Sequence, residues 1–404
     1  MSSMQDADVV VVGAGTTGSM ALWQLSKRPG LTVVGVEQFG RVHTHGSFSG
    51  ESRLFRTAAK EGALYVPLLR EARDLWRELE AESGREIYLE CGALSIGPAG
   101  CEPMETTARV VREHGLAHRG FTTEQLRAAY PQFAVHDGDV GILDLHAGGL
   151  RPEVAVAAAL DRAEAQGAQL LFNTGVLDIE RHADHTLVRT TQGVIRTRKV
   201  VVSAGSWTRT LVPELADLVT VKPLGLTWFM PRRIADFTPD RFPVFMRDVY
   251  LRDGRVVHFF GAPSLDGYSI KVSPSLLWDD VERPEQVPER FTREDLVLLG
   301  QQVQALIPEL NPEPVRTSLH HDGFTADSVP VVELDASGNC AVVAGLSGNG
   351  FKFAPVHGRM LAELVLDGTS PLHREAFTVA AHRARRLADS SVTITPLEEP
   401  AALV

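Results

Sequence analysis

A glycine-rich motif near the amino terminus has the spacing of a dinucleotide-binding turn. It follows the β-branched run at residues 9–12 and consists of Gly13, Ala14, Gly15, Thr16, Thr17 and Gly18. Glycines with this spacing allow a tight turn and a close backbone approach to a pyrophosphate, at which a following helix would direct free N–H groups. Glu37 ends the next apolar run, where a carboxylate can accept from an adenosine ribose and disfavours the 2′-phosphate of NADP. The motif predicts a dinucleotide site, with a purely structural glycine turn as the alternative.

The elements around this motif predict a parallel α/β domain. Residues 9–12 are typical of a strand buried on both faces, residues 19–25 suit a helix, and residues 31–36 form the next strand. Amphipathic or alanine-rich helices are predicted at 65–83 and 152–166. Further strands are predicted at 168–172, 175–180, 187–191, 193–196, 200–202 and 341–344, and a last helix at 355–366.

The segment from about 218 to 315 has a different character. It is richer in proline and aromatic residues and in alternating patterns, which predicts an antiparallel sheet inserted into the first domain. We therefore predict a mixed α/β and α+β protein, in which a Rossmann-like FAD-binding domain with a parallel central sheet is interleaved with an antiparallel-sheet substrate domain. The glycine motif itself does not separate FAD from NAD; the inserted second domain and the glycine loop near the carboxyl terminus suit a flavin buried between the two domains. The predicted FAD-binding parts are 1–88, 142–217 and 317–389, the substrate parts are 89–141 and 218–316, and 390–404 is a tail.

Composition excludes several classes of protein. The 404 residues are 44% apolar and 23% charged, which excludes a disordered chain, and the formal net charge of −11 with scattered basic residues disfavours nucleic-acid binding. Cys91, Cys101 and Cys340 form no CxxC pair, so neither a disulfide framework nor a cysteine zinc site is expected. The acidic amino terminus lacks the features of a signal peptide, and no apolar run is long enough to span a membrane. A cytoplasmic protein is expected.

Four segments resemble the monomeric sarcosine oxidase and N-methyltryptophan oxidase family of FAD-dependent amine oxidoreductases. These are residues 43–56, Glu61 to Leu68, residues 261–264 followed by Lys271, and the glycine loop at 344–353. The similarity extends over nearly the whole chain in consistent order. It implies FAD, two interleaved domains, a small amine substrate whose C–N bond is oxidised to an imine, and O2 as the acceptor, which yields hydrogen peroxide. It also suggests a monomer.

The resemblance assigns roles to four cations. Arg56 and Lys352 match the pair that holds the substrate carboxylate, although a pair of surface cations is the alternative for an isolated arginine. Lys271 matches the lysine that assists oxygen reduction near flavin N5, whereas strand alternation alone predicts an exposed residue. Arg53 matches a residue close to the flavin ring, and an ion pair with Glu51 or Glu61 is the alternative.

The cofactor contacts are expected to come from several turns along the chain. Ser203 to Trp207 fits a second glycine turn at a strand end near the FAD, although Trp207 alone is more typical of a core residue. Besides the first turn, Glu37, Arg53 and Lys352, the predicted cofactor-binding residues are Ser47, Val176, Ala204, Gly205, Trp207, Gly345, Ser347, Gly348, Asn349, Gly350 and Phe351.

The sequence departs from the family pattern in the predicted substrate pocket. His320 stands where the family has the cysteine that binds flavin covalently, so non-covalent FAD is expected. Ser49 and Ser275 replace histidines and Asp322 replaces an aromatic residue; with Phe260, these residues are predicted to bind the substrate. They predict a substrate larger or more polar than sarcosine, and the alternative for Asp322 is a turn before Gly323.

Three pairs of histidines in the sequence could suggest a metal site. The pairs at 43/45, 182/185 and 320/321 lack a third ligand at helical spacing, so no metal site is expected.

A dehydrogenase that passes electrons to another carrier is one alternative to the oxidase. A dinucleotide-binding protein without redox activity is another, because fold alone does not imply chemistry.

Overall fold

The computed structural model describes residues 4–58, 61–250, 256–274 and 278–386. Helices and strands are numbered separately along the chain. The helices are α1 Thr16–Ser26, α2 Val66–Ser83, α3 Glu102–Glu113, α4 Thr123–Ala129, α5 Pro152–Ala165, α6 Thr208–Leu211, α7 Arg293–Leu306, α8 Ala354–Asp367 and α9 Val379–Arg386. In the part of the chain described, no helix has the length and apolar character needed to cross a membrane.

A largely parallel sheet carries the glycine motif. Its strands are β1 Met4–Val12, β2 Val33–Val36, β9 Gln169–Leu171, β10 Val176–Arg181, β11 Thr186–Thr190, β12 Gly193–Val202, β18 Val331–Leu334 and β19 Cys340–Ala344. The path β10-β11-β12-β1-β2-β9 forms the sheet, and β19 joins β12 beyond the end of β11. Pairing is parallel among β12, β1, β2 and β9 and between β12 and β19, while β10, β11 and β18 are antiparallel to their neighbours.

Both faces of this sheet are buried, which explains the continuous β-branched run in β1. Val9 and Val11 point into a core shared with helices α1, α2, α5 and α8, whereas Val10 and Val12 point into the core on the opposite face. Alternate side chains of a strand lie on opposite faces, so a strand covered on both sides must be apolar throughout. The predicted parallel α/β sheet is confirmed.

The second sheet is mostly antiparallel and has a phenylalanine-rich core. Its strands are β5 Ala93–Pro98, β6 His118–Phe121, β7 Asp139–Asp144, β13 Thr220–Pro231, β14 Val244–Tyr250, β15 Val256–Ala262, β16 Ile270–Pro274 and β17 Leu310–Phe324. They are ordered β17-β13-β16-β15-β14-β5-β7-β6, and the pairing of β14 with β5 is parallel. The predicted fold class, with its antiparallel insertion, is thereby confirmed.

Several of the predicted domain limits fall inside single strands. A small third sheet is formed by β3 Arg53–Phe55, β8 Gly148–Leu150 and β4 Tyr88–Leu89. Strand β17 stays paired with β13 as far as Phe324, so the predicted limit at 316/317 lies inside this strand. The limits at 88/89 and 141/142 likewise lie inside β4 and β7. The predicted tail at 390–404 lies outside the described residues.

Candidate active site

The glycine turn between β1 and α1 is shaped by backbone contacts that leave no room for side chains. Gly13 has φ of +85°, and a Cβ there would lie 2.4 Å from the Ser203 carbonyl oxygen. A Cβ on Gly18 would lie 1.8 Å from the Gly13 oxygen. A Cβ on Gly15 would meet only the Phe48 ring, at 3.6 Å, so this glycine faces open space instead. Gly13 and Gly18 are therefore required by packing, and Gly15 is the glycine that keeps the cavity open.

Glu37 lies at the end of β2 with its carboxylate held by backbone N–H groups. Its Oε2 accepts from the Ala14 N–H at 2.9 Å and its Oε1 from the Phe39 N–H at 2.9 Å. Burial raises the pKa of this carboxyl, but a hydrogen bond from His43 and the two N–H groups outweigh burial and bring the pKa below its usual value. Glu37 is thus an anionic acceptor beside the glycine turn.

Two cavities adjoin at the carboxyl ends of the parallel strands. The first has a volume of about 270 Å³ and the second of about 460 Å³, and Thr16, Ser47, Asp322 and Leu346 line both of them. The first cavity is also lined by these predicted cofactor-binding residues: Gly13, Gly15, Thr17, Glu37, Val176, Ala204, Gly205, Trp207 and Gly345. The shared walls make one elongated space that runs from the glycine turn to the antiparallel sheet.

The second cavity brings together the cations singled out in the sequence. Arg53, Arg56, Lys271 and Lys352 all line it. The glycine loop after β19 supplies another part of its wall, through Ser347, Gly348, Asn349, Gly350 and Phe351. Its apolar walls come from both domains and include Leu54, Leu224, Leu226, Met246, Phe260, Trp278 and Phe324.

Arg56 and Lys352 form a cation pair that is bridged by a carboxylate. Glu61 accepts from Lys352 Nζ at 2.8 Å and from Arg56 Nη2 at 3.1 Å. The side chains of Arg56 and Lys352 are only 5% and 6% exposed, so the surface-cation alternative is wrong. Arg56 Nη1 is buried and has no hydrogen-bond partner among the described residues. This arginine therefore retains one donor that can take a further acceptor.

Glu61 is a member of this site that sequence reasoning missed. The sequence considered it only as a partner for Arg53, whereas the structure pairs it with Arg56 and Lys352. Burial raises the pKa of Glu61, but Arg56 and Lys352 outweigh burial and hold the pKa far below its usual value. The signal that could have found it is its place between Arg56 and helix α2, within reach of a buried cation that needs a counter-charge.

Lys271 and Arg53 donate to the same stretch of backbone. Lys271 is 1% exposed, and its Nζ donates to the carbonyl oxygens of Ser52 and, at 3.4 Å, Gly50. The exposed position predicted by alternation is wrong, because this face of β16 is covered by the 47–52 loop. Arg53 donates to the carbonyls of Ser47, Ser49 and Ser52, while the Glu51 side chain pairs with Arg316. The ion pair considered for Arg53 is therefore replaced by carbonyl contacts.

Two of the predicted substrate contacts that depart from the family pattern, Asp322 and Ser49, lie in different places. Asp322 lines both cavities, but its Oδ1 accepts from the Gly323 N–H at 2.9 Å and its Oδ2 from the Gly348 N–H at 2.8 Å. Burial raises the pKa of this carboxyl to about 6. Ser49 is buried and does not line either cavity, and its hydroxyl has no hydrogen-bond partner among the described residues. Ser275 lies outside the described residues.

His320 lies on the wall of the second cavity as a neutral imidazole. Burial, followed by the charge of Arg53, lowers its pKa to about 4. Its Nδ1 lies 3.2 Å from the Gly46 carbonyl oxygen, which can only accept, so this nitrogen carries the proton. The other nitrogen, Nε2, then accepts from the Ser318 hydroxyl at 2.5 Å. Both nitrogens are thus engaged with protein groups.

Comparison with known proteins agrees with this arrangement. Residues 8–364 match the family described as FAD dependent oxidoreductase (DAO). The chain belongs to this family. It is 30% identical to monomeric sarcosine oxidase of Streptomyces avermitilis over 90% of this chain and 94% of the relative, and 30% identical to N-methyl-L-tryptophan oxidase of Salmonella typhi over 90% and 95%. The resemblance read from the sequence is confirmed, and the protein is an FAD-dependent oxidoreductase.

A solved structure shares the fold at lower sequence identity. It is that of NikD, described as an unusual amino acid oxidase essential for nikkomycin biosynthesis, with a TM-score of 0.80, 22% identity, and coverage of 93% of this chain and 97% of that one. At this identity the likeness concerns the fold. It shows that the interleaved two-sheet arrangement is shared with that protein.

The residues of the first cavity fit FAD. Helix α1 begins at Thr16 with no acidic side chain in its first turn and no side-chain cap, so its N–H groups face the space that Gly15 keeps open. The Thr17 hydroxyl is buried and has no hydrogen-bond partner among the described residues. A pyrophosphate would satisfy these donors, and Glu37 would accept from the ribose.

Proposed function

We propose that the protein is an oxidase of amino acids or secondary amines, which converts a C–N bond to an imine and passes the electrons to O2. The observation that supports this proposal is the combination of the Arg56–Lys352 cation pair and Lys271 on the wall of one cavity that adjoins the FAD-binding turn. Bound FAD supplies the hydride acceptor. The named relatives oxidise sarcosine and N-methyl-L-tryptophan, both of which carry a carboxylate beside a secondary amine.

The cation pair binds the substrate carboxylate in this proposal. Arg56 Nη1 is the buried donor that lacks a partner among the described residues, and Lys352 adds a point charge beside it. Glu61 neutralises one of the two cations, so the site keeps a net charge of about +1, which attracts one carboxylate. The pair thereby orients the substrate so that its amine-bearing carbon faces the flavin.

Lys271 serves the oxygen half of the reaction in this proposal. A buried ammonium lowers the free energy of negative charge that develops when neutral O2 accepts electrons. Its carbonyl contacts with Gly50 and Ser52 fix the ammonium at the cavity wall. Arg53, held by the same loop, adds a second fixed positive charge.

The substrate is proposed to carry an apolar side chain or N-substituent larger than that of sarcosine. The cavity walls beyond the cation pair are formed mainly by Leu224, Leu226, Met246, Phe260 and Trp278. Ser49 does not line either cavity, and both oxygens of Asp322 already accept from backbone N–H groups. An apolar surface of this kind binds apolar groups through the hydrophobic effect.

FAD is proposed to be bound without a covalent bond. No cysteine occupies the β17 position from which the family links to flavin, and both nitrogens of the His320 that stands there are engaged. Precipitation of the holoenzyme with acid should therefore release all of the yellow colour into the supernatant. A yellow pellet with a flavin mass added to the peptide that contains His320 would refute this.

Rapid mixing of the holoenzyme with candidate amines tests the oxidase proposal. Anaerobic reduction by an N-alkyl or primary amino acid, followed by rapid reoxidation in air with peroxide formation, is expected. In Lys271→Met the reoxidation rate constant should fall about 100-fold while the reduction rate constant changes less than about threefold. The matched control is Lys199→Met, since Lys199 also donates to a backbone carbonyl, Gly338, but lies in the other sheet. Equal reoxidation of Lys271→Met and wild type would refute the role of Lys271, and reduced flavin that air does not reoxidise would indicate a dehydrogenase.

A further inference from the structure

The 47–52 loop directs backbone carbonyl oxygens at two buried cations. It precedes β3 and contributes the carbonyls of Ser47, Ser49 and Ser52 to Arg53 at 2.6–2.7 Å. The carbonyls of Gly50 and Ser52 accept from Lys271 Nζ. Neither cation has a carboxylate within ion-pair distance among the described residues. The position of both positive charges therefore depends on the conformation of this loop.

One carboxylate holds the loop from its N–H side. Glu153, in the first turn of α5, accepts from the Gly50 N–H at 2.6 Å and from the Glu51 N–H at 3.0 Å through Oε1. Its Oε2 lies 3.2 Å from the same Glu51 nitrogen. Gly50 is thus held at both ends of its backbone, by Glu153 at its nitrogen and by Lys271 at its oxygen.

The loop needs such a restraint because its backbone is strained. Gly50 has φ of +111° and Glu51 has φ of +68°, which is unfavourable for a residue with a side chain. A Cβ on Gly50 would lie 2.6 Å from Leu226 Cδ1, so the loop is also packed closely against β13. Hydrogen bonds to a charged carboxylate are among the stronger contacts that can hold a strained turn.

Glu153 also contributes charge to this part of the protein. The groups that act on Lys271 are Arg53 on β3, Glu51 in the loop, Glu153 on α5, and Arg316 and His320 on β17. Burial and the positive charge of Arg53 lower the pKa of Lys271 well below its usual value, whereas Glu51 and Glu153 raise it. Glu51 is already engaged in an ion pair with Arg316, so their charges largely offset one another. Among the residues that the structure describes, no cation lies within ion-pair distance of Glu153, and its charge acts on Lys271 and Arg53.

We propose that Glu153 is a positioning residue for Lys271: through the Gly50 and Glu51 N–H groups it holds the loop whose Gly50 and Ser52 carbonyls accept from the lysine, and it places a negative charge on that side of the lysine. This inference rests on the proposed function in so far as it places Lys271 beside the flavin. It assigns to α5, a helix of the FAD-binding domain, control over a lysine that is carried by the antiparallel sheet. The oxygen half of the reaction is therefore controlled from across the boundary between the two sheets.

Replacing Glu153 with glutamine separates the effect of its negative charge from the effect of its hydrogen bonds to the loop. The two shortest contacts use the same oxygen, Oε1, so the amide oxygen of glutamine can accept both N–H groups while the charge is lost. Aspartate does the reverse, because it keeps the charge but its shorter side chain withdraws the acceptor. Glu164→Gln is the matched control, since Glu164 lies on the same helix and pairs with Arg41 at the surface.

The test is a pH titration of the visible absorption spectrum of the oxidised, substrate-free holoenzyme. Deprotonation of an ammonium beside the flavin changes the spectrum, and Lys271→Met should abolish that transition. Glu153→Gln should lower its pH midpoint by about one unit, because it removes one negative charge that acts on Lys271. Glu164→Gln should leave the midpoint within about 0.3 unit of wild type.

Hydrogen exchange of the 47–52 loop supplies the second measurement. Amide exchange at Gly50 and Glu51 should accelerate at least about tenfold in Glu153→Asp and stay near the wild-type rate in Glu153→Gln. This measurement keeps the inference testable if the glutamine variant does not fold, because unchanged exchange in Glu153→Asp refutes the positioning role by itself.

The outcomes separate the two proposals. A transition that Lys271→Met abolishes but Glu153→Gln does not shift would refute the role of Glu153 and leave the oxidase proposal intact. A transition that persists in Lys271→Met would refute the placement of Lys271 beside the flavin, and the inference with it. A shift in Glu153→Gln that Glu164→Gln reproduces would also refute the inference, because it would reflect a general effect of charge on helix α5.

Discussion

Replacing Glu61 with glutamine tests how the cation pair of Arg56 and Lys352 binds a carboxylate. Glu61 is ionised and already occupies one side of both cations, at 2.8 Å from Lys352 Nζ and 3.1 Å from Arg56 Nη2. A substrate carboxylate must bind on the other side, where it feels the repulsion of Glu61. Glutamine keeps an oxygen acceptor for Lys352 and removes that repulsion. We therefore expect Glu61→Gln to bind carboxylates more tightly than wild type.

The size of the effect follows from the contact distances. Two carboxylates on opposite sides of one ammonium, each in contact with it, are separated by about 6 Å, and at an effective dielectric constant of about 20 they repel by about 3 kcal/mol. Relaxation and water reduce this value, so the expected gain in affinity is about 10- to 100-fold. The same substitution removes a charge partner from two buried cations and should lower the free energy of unfolding by about 3 kcal/mol.

The assay is a titration of the oxidised holoenzyme with acetate, monitored by the visible absorption spectrum, at pH 7 and fixed ionic strength. Glu71→Gln serves as the control, because Glu71 pairs with Arg359 at the surface and lies on helix α2 beyond Glu61. Glu61→Asp, which retains the charge, should bind acetate within about threefold of wild type.

Weaker or unchanged acetate binding in Glu61→Gln would refute this reasoning. It would mean that the glutamate does not compete with the ligand, either because it moves away when the ligand binds or because the ligand binds elsewhere. If Glu61→Asp and Glu61→Gln both lost affinity for acetate by the same factor, the geometry of the site rather than its charge would determine the affinity.

Two further predictions concern the glycine turn and a buried histidine. The apoprotein of Gly15→Ala should unfold at a temperature close to wild type, because the added Cβ meets only Phe48, but fluorescence titration should show FAD binding at least about tenfold weaker. Gly13→Ala should lose both the fold and FAD, because its Cβ would overlap the Ser203 oxygen. Burial lowers the pKa of His357 to about 4, so the unfolded state binds more protons than the folded state between about pH 6.5 and about pH 4. The free energy of unfolding should therefore decline by about 3 kcal/mol as the pH falls through this range. In His357→Phe, urea unfolding curves measured across the same range should lack this part of the decline.

Local patterns predicted the FAD-binding half of the molecule well. The β-branched run of β1, the glycine turn and Glu37 lie within about thirty residues, so their geometry is determined by contacts between near neighbours in sequence. The long helices α2 and α5 were likewise predicted nearly to their observed ends, because each shows an apolar face or an alanine-rich run bounded by proline and glycine or glutamine. Alternation in β13 to β16 predicted the sheet but not which of its faces would be covered.

The residues that sequence reasoning misplaced depend on contacts between distant segments. Lys271 alternates as a surface residue, but the 47–52 loop lies over it from 219 residues away in sequence. The sequence left two alternatives for Asp322, a turn in the loop or a place on the pocket wall. In the structure it also accepts a hydrogen bond from the distant Gly348 N–H, which indicates a structural role. Glu61 was considered only as a partner for Arg53, and Glu153 was not predicted, because no local pattern shows which buried cation or backbone turn a carboxylate will meet. Such pairings follow from the topology of the two sheets.

The order of strands in the parallel sheet has a consequence for how the protein is made. Strand β1 leaves the ribosome early, but its neighbour β12 begins at Gly193 and β19, which completes that side of the sheet, begins at Cys340. The nascent chain therefore carries β1 with one edge unpaired until β12 emerges, and then β12 with part of its edge unpaired until β19 emerges, a state that favours association with chaperones. Flavin capture must then be a late event of biogenesis, since the glycine loop that completes the wall is among the last parts to emerge.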